Sequence, residues 1–418
     1  MSLLLKNVIL NWKKVDIYIE KGRIKKIGKK IDKRAKEKID ARGEKAVLPG
    51  FINCHTHSPM TLFRGYADDL PLEIWLKRKI WPKEAKLTLD DIYWGTKLAL
   101  LEMVKSGTTC FNDMYWHPEI TVEALKEINL RAVIGLILVD FHPQGRPKEV
   151  ERIYSGLEKE IPQTVSLSLS PHSIYTVSKE NLIWAKKFAK RHNLILHLHL
   201  SETLKEVREC QRKYKLKPVE FLEKLGFLGK DCLLCHSIWV SQKEIEILRR
   251  RNSSVVYSPC SNMKLGSGIF PYSLFKKAKI NICLGTDGAG SNNNLDMLEE
   301  MKFASLLQKV KEKNPSVAPA KEVFDLATKN GAKALKIEAG EIKEGKLADL
   351  ILIDLNNPCL LPSYNIFSGL VYSCNRDCIS ETICDGKLLM REKKVEGEKI
   401  ILREIKRRYG KKSKAFNS

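Results

Sequence analysis

His55 and His57 form a His-Thr-His triplet at the end of an apolar run, LPGFINCHTH. Residues two apart on a strand share a face, so both imidazoles can reach one point. His199 closes the run LILHLH, His236 closes DCLLCH, and Asp287 follows INICLGT. Three or four imidazoles and a carboxylate meeting at one point would hold a divalent transition metal, most simply Zn²⁺. If one coordination position were left to water, such a centre would be catalytic rather than structural. The triplet alone is a weak signal. Its weight comes from position, because four of the nine histidines end strand-like runs. His197 lies two before His199 and shares its face, so either could be the ligand from that strand; His199 is preferred because it is nearer the strand end and precedes Glu202. His117 and His192 stand alone and read as surface or satisfied core histidines.

The elements that must carry these residues are legible from periodicity. Between about residues 50 and 340, eight strand-like runs alternate with helix-like stretches: AVLPGFINCH, GTTCFNDM, RAVIGLIL, TVSLSLSPH, LILHLHLSE, DCLLCHSI, SSVVYSP and INICLGTD. This alternation predicts a parallel (β/α)₈ barrel of the TIM type, whose strand C-termini converge on one mouth. No GxGxxG follows the first strand, which weakens a dinucleotide-binding alternative. Outside this region the pattern is different. Val15, Ile17 and Ile19 alternate with polar residues before a Lys21-Gly22 turn. LADLILIDL and LLMREKKV flank an Asp385-Gly386 turn. These are hairpin signals. They predict a small β-sandwich domain built from both chain ends, residues 1–50 plus 341–418, around a barrel of residues 51–340.

The chain of 418 residues is 43% hydrophobic and 29% charged, which excludes a disordered or fibrous protein. Its formal net charge of +23 could serve a polyanionic partner. The charges are dispersed, however, with the longest basic cluster at the C-terminal end (Arg407, Arg408, Lys411, Lys412, Lys414), and they read as a solvated surface without a nucleic-acid role. Eleven irregularly spaced cysteines do not make a disulfide framework. The opening segment MSLLLKNVILNWKK lacks the apolar core of a signal peptide, and no run of about 18 apolar residues is present. The expectation is a reduced, cytoplasmic protein with no membrane partner.

Two motifs mislead. Cys232-Leu-Leu-Cys235-His236 matches the c-type haem attachment pattern, but its apolar, strand-like setting makes the cysteines core packing. The H-x-E and P-C-x-x-C signature of cytidine-deaminase zinc sites is absent, so any deaminase here belongs to another fold.

The segments LPGFINCHTHSPMTLFRG, SPHSIYTVS, HLSETxxE, SPCSNMKLGSGI and GTDGAGSNNNLDM together resemble the amidohydrolase superfamily. IWLKRKIWPKEAKLT and SGTTCFNDMYW narrow the resemblance to its 5'-methylthioadenosine/S-adenosylhomocysteine deaminase branch, which includes archaeal 5'-deoxyadenosine deaminases. The resemblance extends from the first β segment to about residue 390. It implies a distorted barrel with a β-sandwich from both ends. It implies one metal held by His55, His57, His199 and Asp287, with His236 beside the bound water. Relatives with two metals use a lysine on the fourth strand; TVSLSLSPH offers none. Iron or manganese would fit the ligands that zinc fits.

The implied chemistry is hydrolytic deamination at C6 of an adenosine-type nucleoside: 5'-deoxyadenosine, 5'-methylthioadenosine, S-adenosylhomocysteine or adenosine. A bound divalent ion lowers the pKa of water towards about 7. Asp287 can ligate the ion and accept the water proton, Glu202 can protonate N1, and His236 can orient the attacking oxygen. As a purely structural residue Glu202 would be a helix N-terminal acid. By resemblance, Glu84 would bind the ribose hydroxyls, His172 would lie by the sugar or ring, and Arg146 would contact the 5' substituent. Trp75 sits in a segment that either lids the pocket or anchors it. The run Tyr257-Ser258-Pro259-Cys260-Ser261-Asn262 departs from the HNP-A-SN sequence of many relatives, near the pocket. Large barrels of this kind often associate, so a homo-oligomer, dimer or tetramer, is expected. The alternatives are a deaminase of a free base or other heterocycle (guanine, cytosine, a triazine), which would not need Glu84, and a non-catalytic nucleic-acid-binding barrel.

Overall fold

The computed structural model describes residues 2–410. The basic residues Lys411, Lys412 and Lys414 lie outside the described residues. Five short strands open the chain: β1 (Ser2–Leu10), β2 (Lys13–Glu20), β3 (Arg23–Gly28), β4 (Glu37–Asp40) and β5 (Lys45–Pro49). Lys21 and Gly22, at φ 49° and 73°, make the tight β2–β3 turn that the sequence predicts.

The next eight strands are β6 (Phe51–Thr56), β7 (Thr108–Met114), β8 (Arg131–Leu138), β9 (Val165–Pro171), β10 (Ile195–Leu200), β11 (Cys232–His236), β12 (Ser254–Tyr257) and β13 (Ile282–Leu284). They pair in sequence order as one parallel sheet. The sheet curls back on itself: Asp287 N–H donates to the His55 carbonyl at 2.9 Å, and Thr286 N–H donates to Asn53 Oδ1 at 3.0 Å. Gly285 permits that approach, since a Cβ there would sit 2.7 Å from the His55 nitrogen. This is the expected barrel, its strands buried along almost their whole length as sheets covered on both faces must be.

The chain ends with β14 (Leu350–Asp354), β15 (Ile379–Cys384), β16 (Lys387–Arg391) and β17 (Lys394–Val395), then a helix, Glu398–Tyr409. Strand β14 pairs antiparallel with β5, which joins the two chain ends into a single nine-stranded sheet. The run AVLPGFINCH, one strand by its apolarity, is divided at Gly50. Its first half belongs to this terminal sheet and its second half opens the barrel. The two units are riveted by Arg131 of β8, whose Nε and Nη2 donate to both oxygens of buried Asp349 at 2.6 and 3.1 Å.

Between β6 and β7 the chain runs over the barrel mouth before entering the helix Leu89–Lys105. Thr88 and Asp91 start that helix with a reciprocal capping box. The crossing segment packs Met60, Phe63, Trp75 and Ile80 into a small apolar cluster of its own.

Candidate active site

The strand ends bring the sequence-selected residues together. His55 lies near the end of β6, His57 follows it, His199 is next to last in β10, His236 ends β11, and Asp287 follows β13. His55 Nε2 and His57 Nε2 stand 3.3 and 3.2 Å from Asp287 Oδ1. The His55 ring centroid is 4.8 Å from that of His199 and 5.5 Å from that of His236. His236 and Asp287 hold left-handed backbone, φ 67° and 61°, a conformation costing about 1–3 kcal/mol that tends to mark functional sites.

Each imidazole is anchored through Nδ1 so that Nε2 faces the cluster. His57 Nδ1–H donates to the Met114 carbonyl at 2.5 Å, His199 Nδ1–H to the His172 carbonyl at 2.7 Å, and His236 Nδ1–H to Asn262 Oδ1 at 2.8 Å. Asp287 is held as firmly. Its Oδ2 accepts from Ser261 and Ser291 hydroxyls at 2.6 and 2.8 Å, and its Oδ1 from Gly288 N–H at 2.8 Å. The run Tyr257–Asn262, noted as a departure from relatives, thus supplies Ser261 to Asp287 and Asn262 to His236. Neither role was visible in the sequence, because both depend on which way the turn after β12 folds.

These donors suit a divalent cation. His55 Nε2 is fully buried without a hydrogen-bond partner. Among the described residues three donor sets, His55 with His57 and Asp287, His55 with His199 and His236, and His55 with His197 and Cys235, each have their ligand atoms within 4.8 Å of one another. Burial lowers the pKa of His55 to about 4 and takes His199 well down, which leaves both lone pairs available. His57 moves the other way: burial opposes protonation, but the Asp287 carboxylate outweighs it and lifts the imidazole to about 9. A cation at the centre is the alternative to that proton.

Beyond the cluster is a cavity lined by His57, His172, His199, Glu202, His236 and Asp287 at its floor and by Trp75, Leu76, Trp81, Ile137, Val139 and Phe141 higher up. A few polar groups converging at the floor of an apolar pocket is the usual form of a small-molecule site. Glu202 Oε2 stands 4.0 Å from His236 Nε2, and Ser267 donates to its Oε1 at 3.3 Å. Burial raises the Glu202 pKa. Its backbone is clamped by Glu206, whose two oxygens accept from the N–H groups of Ser201 and Glu202 at 2.8 and 2.9 Å. The sequence signal for Glu206 is the pattern Thr203-x-x-Glu206, which reads as a helix capping box; the carboxylate instead reaches residues 201 and 202.

Glu84 also lines the cavity, with Trp116 Nε1–H donating to it at 3.3 Å, and burial raises its pKa. His172 lies beside His199, ring centroids 4.8 Å apart. Trp75 is almost fully buried and lines the cavity as part of the apolar cluster. Arg146 is not brought in: it is exposed, stands at the N-cap position of the helix Pro147–Leu157 with no capping side-chain hydrogen bond, and lines none of the cavity. His197 is behind the site rather than in it, its Nε2 3.0 Å from His55 Nδ1. Of the two misleading cysteines, Cys232 is core packing, but Cys235 Sγ sits 3.1 Å from His197 Nε2.

The amidohydrolase family profile matches residues 46–389. The chain is 48% identical over 400 residues to the 5-methylthioadenosine/S-adenosylhomocysteine deaminase of Thermococcus sibiricus, covering 93% of this chain and 94% of that one. It is 45% identical over 400 residues to the 5'-deoxyadenosine deaminase of Methanocaldococcus jannaschii, with the same coverages. In structure it superposes on an adenosine deaminase from Xanthomonas campestris with bound zinc at a TM-score of 0.92 and 29% identity, covering 97% of each chain. Among the described residues no helix is long and apolar enough to cross a membrane.

Proposed function

Because the chain belongs to the amidohydrolase family, we propose that it is a metal-dependent aminohydrolase. It replaces the C6 amino group of an adenosine-type nucleoside with oxygen, giving the inosine analogue and ammonia. Its substrates are 5'-deoxyadenosine, 5'-methylthioadenosine, S-adenosylhomocysteine and adenosine. The named activities of its relatives support this reading. The observation that carries it is the buried Glu202 carboxyl facing His236 at 4.0 Å in the cavity that the histidines and Asp287 floor. A proton donor beside a metal-type donor set is what addition to an electron-poor ring carbon requires. Glu84 in the same cavity supports a nucleoside over a free base, since it offers an acceptor for ribose hydroxyls.

His55, His57, His199 and Asp287 are assigned as ligands of one divalent ion, most simply Zn²⁺; iron or manganese fits the same donors. Strand β9, VSLSLSP, carries no lysine that could bridge a second ion. When bound, the ion supplies an activated water at neutral pH. Asp287 takes a proton from the attacking water while the C6–O bond forms. Glu202, protonated in its desolvated pocket, gives its proton to N1, so that negative charge does not build on the ring. His236 orients the attacking oxygen through Nε2, its Nδ1–H being committed to Asn262. As the C6–N6 bond breaks, Asp287 returns its proton to the leaving amine, and the C6 hydroxyl proton goes back to Glu202. Both carboxyl groups are then restored and ammonia departs. His172 is assigned to the sugar or ring.

The reading places the enzyme in the cytoplasm, a setting supported by eleven free thiols. It takes the enzyme as a dimer or tetramer, supported by Phe303, Leu306 and Val310, which are exposed along one face of the helix Met297–Glu312. The test is a panel of the four nucleosides, guanine and cytosine, followed by ultraviolet absorbance. Turnover of nucleosides is expected; turnover of only the free bases would overturn the reading.

A further inference from the structure

His55 is the one imidazole of the cluster whose Nδ1 does not meet an oxygen. His57, His199 and His236 donate Nδ1–H to a carbonyl or amide oxygen. His55 Nδ1 instead faces His197 Nε2 at 3.0 Å. The two rings meet edge to face, centroids 5.0 Å apart. From this geometry we infer that His197 is a positioning residue for the metal centre, holding His55 in the tautomer and orientation that present Nε2 to the ion.

The hydrogen-bond bookkeeping fixes the roles. His55 Nε2 is the buried atom without a partner that faces Asp287 and His57. If its lone pair serves the ion, the ring proton must be on Nδ1, and His197 Nε2 must accept it. The Cys235 thiol, 3.1 Å from the same nitrogen, is the other group within reach of that lone pair. His197 then carries its own proton on Nδ1, an atom that is buried with no partner. The residue is fully buried, with Leu233 of β11 opposite it in the strand register. Burying an imidazole with one nitrogen unpaired is costly, and an apolar side chain would fill the space without that cost. Contact with His55 and Cys235 is the polar work that the ring does. Strand geometry explains how one β10 face provides both histidines: His199 reaches the cavity, while His197, two residues earlier, reaches one layer deeper. Ligand histidines are usually oriented by such a partner on the second nitrogen, and losing it typically costs 10–100-fold in metal affinity.

This inference rests on the metal-site reading above, and the experiment separates the two. Zinc affinity is measured on the full-length protein by competition with a chelating dye, without reference to turnover, for wild type, His197→Leu, His197→Met and His197→Gln. The apolar variants should bind zinc about 10–100-fold more weakly. His197→Gln, whose Oε1 can reach the acceptor position, should recover most of the loss. The cobalt-substituted proteins should report the same order through a changed visible spectrum in the apolar variants. Leucine and methionine are both included so that one folding failure leaves a readable variant. Wild-type affinity in whichever folds overturns the inference. So does a wild type that binds two ions per chain and loses one on substitution, which would make His197 a ligand. A wild type that binds no divalent ion overturns both this inference and the reading beneath it.

Discussion

Glu202 and His236 confront each other across the floor of the cavity, carboxylate Oε2 4.0 Å from imidazole Nε2, although they come from different barrel strands. Each is fixed from behind, Glu202 by Ser267 and His236 by Asn262. A gap of that size is too long for a direct hydrogen bond, so both groups keep hydrogen-bonding capacity for a molecule lying to one side of the line between them. Glu202→Gln removes the proposed proton donor while keeping its shape. The expected result is a kcat lower by on the order of 10²–10⁴-fold with zinc content unchanged by elemental analysis. Retained activity would take Glu202 out of the proton-transfer role.

Two buried carboxyls should make stability depend on pH. Burial lifts Glu206 and Glu300 to about 8 each, far above the value near 4.3 of an unfolded chain. Between those values the folded state binds more protons than the unfolded one. Their contribution is therefore complete below about pH 4.3 and is lost as pH rises through about 8. The urea midpoint should fall between pH 5 and pH 8.5, and Glu300→Gln should flatten that slope. A midpoint that rises over this range would contradict the assignment.

Arg131 holds the barrel to the terminal sheet through a buried two-point contact with Asp349, extended by a 3.2 Å contact to Asp385. Removing one partner strands a buried charge. Arg131→Leu should destabilise the protein by about 3–5 kcal/mol in denaturant titration. A loss within about 0.5 kcal/mol, the range of an ordinary surface change, would show that the rivet is dispensable.

Selectivity at the 5' position should favour small uncharged groups. Among the described residues no lysine or arginine lines the inner cavity, and Arg146 stands outside it. The amino-acid end of S-adenosylhomocysteine would have to pass the apolar side chains Leu72, Leu76, Trp81 and Phe141 to reach the outer groove that holds Lys77 and Lys205. Carrying charge past that collar is unfavourable. The kcat/KM for 5'-deoxyadenosine and 5'-methylthioadenosine should exceed that for S-adenosylhomocysteine by about tenfold or more. Equal values would mean that the outer groove recognises the charged end.

The barrel, the terminal sheet and the converging histidines were legible because each rests on a local pattern: strand periodicity, a turn dipeptide or a polar residue ending an apolar run. The domain boundary was set at Gly50, but AVLPGFINCH was read as one barrel strand, since both halves are apolar and only long-range pairing separates them. His199 was preferred over His197 for its nearness to the strand end and to Glu202. That His197 faces Cys235 was not legible, because the contact depends on the register of the neighbouring strand. Arg146 illustrates the opposite limit. A loop residue placed by resemblance has no periodicity to fix it, and here the chain spends it on a helix terminus. Glu206 was hidden by its own signal, a capping pattern whose carboxylate serves the residues before the cap.

The most direct measurement combines ultraviolet absorbance and ammonia release with 5'-deoxyadenosine, on protein stripped by chelator and again after one equivalent of zinc per chain. The stripped protein should be inactive. The restored protein should convert adenine absorbance to that of hypoxanthine with one ammonia for each nucleoside consumed. An unchanged nucleoside after metal is restored, or equal turnover without it, would contradict metal-dependent deamination.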